Sequence, residues 1–194
     1  AAATDLVTIV GGAGADTITV DAQATDRVLY TAIGQGGAAI SATSAAALAA
    51  GDTIIGVDTV TSGDMLTFQA SSLVGTASTI VENAATWNLN TAGVAREAAN
   101  NALLVGDTAT ATAVTGVING HLTGGVSGDI GDVGYFIFDG NAGGANQAAI
   151  FQITLGTTRA VGDETALDAG DTIALVGIGG AGTSFDGTGV GFIA

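Results

Sequence analysis

The chain has no cysteine and no proline, and only one histidine, one tryptophan and one methionine in 194 residues. Without cysteine there is neither a disulfide nor a thiolate metal site. Without proline, every turn must come from Gly, Asn and Asp chemistry. The three basic residues are Arg27, Arg96 and Arg159, so lysine is absent too. That excludes Walker-type phosphate loops and Schiff-base catalysis. Eighteen acidic residues leave a net charge of −15. Nucleic acid and anionic membranes need a basic surface and are implausible partners. Aromatics are 5% of the chain, so the core must be built from small and β-branched side chains, which suits thin, closely stacked β layers. No apolar run reaches about 18 residues, and no membrane span is expected.

The same scarcity argues against an active site. His121 alone cannot build a standard zinc site. A Ser-His-Asp triad would need that one histidine, and no G-x-S-x-G elbow surrounds any serine. It reads as an exposed loop residue. Gly177-Ile178-Gly179-Gly180-Ala181-Gly182 echoes a dinucleotide fingerprint but lacks a following helix pattern. Residue counts leave two-carboxylate glycosidase chemistry open. Its sugar platforms would have to come from Trp87, Tyr30 and Tyr135, which nothing clusters. The expectation is a protein that is not an enzyme.

What the chain has in quantity is glycine, 32 residues, together with small apolar residues and aspartate. Fifteen of the acids are Asp and three are Glu. A generic solvated or halophilic surface has no reason to avoid Glu, whereas short Asp side chains on Gly-rich turns suit metal loops and turn caps. The stretch Gly11-Gly12-Ala13-Gly14-Ala15-Asp16-Thr17-Ile18-Thr19 fits the nonapeptide G-G-x-G-x-D-x-U-x at every specified position. That is the calcium-binding repeat of parallel β-rolls. The glycines let the backbone turn tightly and aim carbonyls inward, and Asp16 adds the hard oxygen that Ca²⁺ prefers. A Gly-rich β-turn with a solvated Asp is the plainer alternative.

Together with Asp52-Thr53-Ile54-Ile55-Gly56 and Gly63-Asp64-Met65-Leu66-Thr67-Phe68, this stretch resembles the C-terminal region of RTX-type proteins exported by type I secretion, a group that includes bacterial S-layer proteins. The resemblance implies Ca²⁺ as cofactor, an extracellular or cell-surface location and an uncleaved C-terminal export signal. It covers most of the chain as pattern and composition; only the nonapeptide is specific. No N-terminal signal is visible and the sequence starts at Ala1 without Met, as expected of a processed or excised C-terminal piece.

Along the chain, Leu6–Val10, Thr17–Val20 and Arg27–Thr31 read as strands, each after an Asp: Asp5, Asp16 and Asp26. In a roll, Asp5 and Asp26 would share one edge; ordinary hairpins with Asp at the turns are the alternative. Residues 41–50 read as a helical turn or a small-residue loop. Asp52–Val60 and Asp64–Phe68 read as strands with Ile54, Val57, Met65, Leu66 and Phe68 in the core. Asp52, Asp58 and Asp64 serve either turns or metal. Thr79–Val81 and Thr86–Leu89 look extended, with Trp87 in the core. Thr91–Val105 carries a helical stripe of Val94, Ala98, Ala102 and Val105, with Arg96 on the polar face. A second helix runs from about Ala109 to Asn119, capped by Asp107. Asp129 and Asp132 lie in a Gly-rich loop, and the 139–147 connection carries Asp139. Tyr135–Phe138 and Ala149–Leu155 form a hairpin, and Thr172–Val176 is a further strand. Asp186 marks another turn.

The expected fold is mainly β: irregular calcium-binding β-roll or β-sandwich-like strands with a small helical insert, in one β-rich domain. Within it, 1–73 would hold the RTX-like turns and 74–194 the helical insert and hairpin. The candidate metal residues are Asp5, Gly11, Gly12, Gly14, Asp16, Asp26, Asp52, Asp64, Asp129, Asp132 and Asp139. The expected function is a secreted, calcium-stabilised structural protein that assembles with itself into a surface layer, filament or matrix, with cell-surface polysaccharide as a further partner. The alternative is a calcium-dependent adhesin or the export module of a larger RTX protein.

Overall fold

The structure is a computed structural model and describes residues 6–21, 25–57, 63–69, 79–97, 109–139, 148–180, 183, 185 and 189–193. Asp5, Asp58, Asp107, Asp186, residues 140–147 and the second half of the expected 91–105 helix lie outside them.

The chain is mainly β, with one helix among the described residues. The first strands wind between two sheets. β1 (Val7–Ile9) and β3 (Asp26–Tyr30) lie in one sheet, and β2 (Thr17–Thr19) and β5 (Asp52–Ile55) in the other. β6 (Met65–Gln69) then returns to the first. All these neighbours pair in parallel, as coils stacked on one another do. The first coil advances 19 positions, setting Val7 beside Asp26. The second advances 38, setting Arg27 beside Met65. The difference is an excursion between β3 and β5 that carries β4 (Ile40–Ser41) to pair antiparallel with Thr172 and Ile173 in the second sheet.

β14 (Val190–Ile193) closes the first sheet in the order β1-β3-β6-β14, parallel throughout. The second sheet runs β2-β5-β13-β12-β11-β9-β7. Its later strands are β7 (Ile80–Glu82), β9 (Val94–Glu97), β11 (Val133–Phe138), β12 (Ala149–Thr154) and β13 (Thr172–Gly179). β11 and β12 are the expected hairpin. Because β13 pairs with β5 and β14 with β6, both sheets run through the 73/74 boundary drawn from sequence.

The second sheet is covered on both faces, and its strands alternate accordingly. Tyr135 and Ile137 of β11 face the first sheet, with Ile18, Val28, Ile54, Leu66 and Phe68. Phe136 and Phe138 face the other way, onto Trp87, Val114 and Ile118. That second layer is α1 (Ala111–His121) and the pair β8 (Thr86–Asn88) and β10 (Gly125–Ser127). Trp87 is fully buried, as expected, and its indole N–H donates to the Ala92 carbonyl. Burying a ring of that size contributes about 2–3 kcal/mol.

Three local expectations change, and one open alternative is decided. Val94–Glu97 is a strand, not the start of a helix: all four residues are buried, which an amphipathic helix cannot do, and they pair with Tyr135–Phe138. Arg96 is accordingly buried rather than on a polar face. α1 begins at Ala111 and is capped by Thr110, whose hydroxyl accepts from the Ala113 N–H. Residues 41–50 take the loop alternative, and their carbonyls at Thr43 and Ser44 receive the Thr112 hydroxyl. Met65 points to the outer face of the first sheet and is half-buried, whereas Ile54, Val57, Leu66 and Phe68 are core.

Candidate metal centre

The nonapeptide turn sits where β1 hands over to β2. Gly12 and Gly14 have φ of +100° and +108°, which L side chains adopt at a cost. Gly11 is placed differently. A Cβ there would stand 3.1 Å from Asp52 Oδ2 and 3.3 Å from Asp16 Oδ2. Both carboxylates therefore lie under the same glycine.

Asp52 enters β5 at the position one coil above Asp16. Its Oδ1 accepts the Asp16 backbone N–H at 3.0 Å, and its Oδ2 accepts the Tyr30 hydroxyl at 3.0 Å. Asp16 Oδ2 is buried and accepts no hydrogen bond. Buried Asp52 and Tyr30 thus lie beside half-buried Asp16. Burial pushes the Asp52 carboxyl above its ordinary value of 3.8, against the two hydrogen bonds that hold it down. Burial, and then Asp52, push the Tyr30 hydroxyl well above 10.0, so it stays a donor.

The next pair repeats half of this arrangement. Asp64 Oδ1 accepts the Asp26 N–H at 2.9 Å, and Asp26 Oδ2 accepts the Asp21 N–H at 3.0 Å. Asp26, Asp52 and Asp64 are all buried. An Asp at strand entry therefore ties each coil to the one before it. The same use recurs outside the roll. Asp132 Oδ2 accepts the Asp129 N–H, and Asp129 itself is exposed. Asp139 pairs with Arg96 at 3.1 Å, and Arg96 also reaches Glu82 at 3.1 Å.

Of the candidate metal residues, the structure brings Gly11, Asp16 and Asp52 together. Asp26 and Asp64 form a separate pair, and Asp129 with Asp132 and Asp139 lie apart from both. Among the described residues no three His, Asp or Glu side chains form a metal-holding group. The Gly11 turn could hold a hard cation through Asp16 and Asp52, with turn carbonyls as further oxygens.

Two further ionic clusters went unread in the sequence. Arg159 is buried between Asp171 at 2.8 Å and Asp168 at 3.2 Å, and Asp171 also accepts the Gly156 and Asp168 N–H groups. The recurring Gly-Asp before an apolar strand was the visible signal for Asp171. His121 ends α1 rather than lying in an exposed loop. Its Nδ1 is 3.5 Å from Glu97, and its ring packs edge-on to Phe138. Burial pushes the Glu97 carboxyl up, while His121 and Arg96 pull it down less.

Comparison with known protein families, characterised proteins and solved structures gave no match. No described helix is long and apolar enough to cross a bilayer.

Proposed function

We propose that this chain is a secreted, calcium-stabilised, non-catalytic structural protein that assembles with itself into an extracellular layer, filament or matrix. The observation that carries the reading is the Asp16–Asp52 pair beneath Gly11, with a buried carboxylate oxygen that has no hydrogen-bond partner among the described residues. A buried polar atom left without a partner costs about 1–3 kcal/mol. A bound Ca²⁺ removes that cost and accepts the turn carbonyls as well. The charge balance supports it too. Two of the three arginines are already committed to buried internal pairs. An acidic chain with so little free positive charge repels its own copies unless cations bind.

The test is calorimetric calcium titration of the wild type and Asp16→Ala, with melting of both in calcium and in chelator. Ligand present at a hundredfold excess over Kd stabilises the native state by about 2.7 kcal/mol. The wild type should gain stability with calcium and Asp16→Ala should gain much less. Equal melting of both proteins in both buffers would leave Asp16 as a turn residue and remove the calcium reading.

A further inference from the structure

We propose that copies join head to tail, the β1 edge of one pairing in parallel with the β14 edge of the next, so that the first sheet runs on from copy to copy. The inference rests on the self-assembly reading above and names the surfaces that perform it.

The first sheet has two different ends. At one end, β1 has no strand beyond it among the described residues, and Leu6, Val7 and Val10 are 42%, 51% and 45% exposed. Natural edges are usually blunted by charge, Pro or bulges. Leu6-Val7-Thr8-Ile9-Val10 has none of these and presents apolar knobs instead. At the other end lies β14, also without a charge and without a described strand beyond it. A cleft of about 110 Å³ opens there on the outer face, lined by Arg27, Met65, Thr67, Gly189, Gly191 and Ile193. Gly191 leaves room there: a Cβ on it would meet nothing within 4 Å. Knob and hole thus occupy opposite edges of one sheet.

The register shows what would meet. Ile9, Val28, Leu66 and Val190 form one row across the sheet, and all four pack against the core behind it. The following residues of the paired strands, Leu29, Thr67 and Gly191, form the next row, on the outer face, and Val10 follows Ile9 directly after the end of β1. A neighbour's β1 added beside β14 in the same register puts its Ile9 next to Val190 and extends the apolar row. Its Val10 then falls beside Gly191, over the cleft. All four strands of the sheet are parallel, so the addition needs only translation and sheet twist. A two-fold join of β1 to β1 would bring knob against knob and leave the cleft empty. Charge permits this solution, because in a chain of −15 neither of these two strands carries an acid. Heterologous pairing of this kind gives open filaments.

The lack of cysteine makes the test direct. Val10→Cys and Gly191→Cys proteins are prepared separately, their folding checked by circular dichroism, and mixed under wild-type assembly conditions with mild oxidant. The expected result is a disulfide-linked heterodimer in the mixture and long ladders from the double variant, with little product from either protein alone. Efficient linking of Val10→Cys to itself would overturn the proposal in favour of a two-fold contact. If wild type assembles but the mixture does not cross-link, the head-to-tail contact is wrong while self-assembly stands. If wild type stays monomeric under every condition, both fail.

Discussion

The backbone N–H of Asp16 lies 3.0 Å from Oδ1 of Asp52, thirty-six positions later in sequence and one coil away in space. Asp26 and Asp64 repeat the relationship at 2.9 Å across thirty-eight positions. In each pair an Asp at the mouth of a strand reaches back to the main chain of the previous coil. Glu would overshoot, since its carboxylate stands one methylene further from the backbone. The two pairs differ in one respect: only the first sits under the glycine turn and leaves a buried oxygen without a partner.

That difference separates two mutations. Asp64→Ala leaves the buried Asp26 N–H without its acceptor, and an orphaned buried donor costs about 1–3 kcal/mol. The loss should be the same in calcium and in chelator. Asp16→Ala, by contrast, should cost stability mainly in calcium. Thermal melts of both variants in both buffers check the contrast, with fully buried Trp87 as the fluorescence reporter.

Asp52→Asn should blunt the response to calcium and flatten the pH dependence of the calcium-free protein. The amide oxygen can still accept from Asp16, while the amide N–H₂ takes the place of the oxygen that accepts the Tyr30 hydroxyl, so that hydrogen bond is lost or reversed. The pH dependence has a definite sign. Burial holds the Asp52 carboxyl above 3.8, so the folded state keeps this proton more tightly than the unfolded chain does. Its contribution to stability is fully present below the unfolded value and is lost as pH rises through the raised folded value. Calcium-free wild type should therefore lose stability over that interval, and Asp52→Asn should lose less. Urea melts from pH 3 to pH 7 measure it; identical slopes would show that Asp52 carries no penalty.

Much of this architecture was legible in the chain. Thr17-Ile18-Thr19, the hairpin and buried Trp87 follow from alternation and aromatic content, and lie where the sequence puts them. The excursion through β4 hid the coil repeat, because it nearly doubles the spacing between equivalent Asp residues. Val94–Glu97 misled for another reason. Val94, Ala98, Ala102 and Val105 make a helical stripe, yet burial on both sheet faces selects a strand there. The buried pairs were illegible because Arg96 and Asp139, or Arg159 and Asp171, meet only after the strands have aligned. Asp enrichment was visible, and the structure supplies a main-chain role for it alongside any metal role.

The Arg159–Asp171 pair should be costly to break. Arg159 is 7% exposed and Asp171 is fully buried, and Asp171 also holds the N–H groups of Gly156 and Asp168. Asp171→Ala leaves a buried guanidinium with only its partner at Asp168, which is half exposed. Breaking one side of a buried pair costs about 3–5 kcal/mol. Denaturant unfolding should show that loss with calcium present or absent. A loss below 1 kcal/mol would mean that water reaches the pair.

The aromatic row in the first sheet should matter as much. Tyr30, Phe68 and Phe192 occupy one register row. Phe68 stacks on Tyr30 at 5.8 Å and, across the layers, on Tyr135 at 4.4 Å. Phe68 is thus one of the side chains that join the coiled strands to the hairpin. Phe68→Ala should cost about 3–5 kcal/mol through lost burial and the cavity left behind. Phe68→Leu should recover much of it. Chemical denaturation of the two variants tests the ranking: complete recovery by Leu would deny the ring stacking any special part, and equal losses would show that apolar bulk without the ring contributes nothing there.

Calcium should control assembly as well as stability. Two copies carrying −15 each repel, and mobile salt screens that repulsion only beyond about 8 Å at physiological ionic strength. A close contact then needs bridging cations, an uncharged strip, or both. The β1 and β14 edges are uncharged strips, while Asp129 and Asp163 lie at turns elsewhere on the chain. Millimolar Ca²⁺ should therefore give large ordered assemblies, and chelator should disperse them. Matched Mg²⁺ should do poorly, because it demands tighter octahedral geometry and releases water reluctantly. Light scattering with electron microscopy across both titrations decides the matter. Equal assembly in sodium chloride alone would show that screening and edge pairing suffice. The buried Asp16–Asp52 pair would then matter to the monomer's stability but not to the contact between copies.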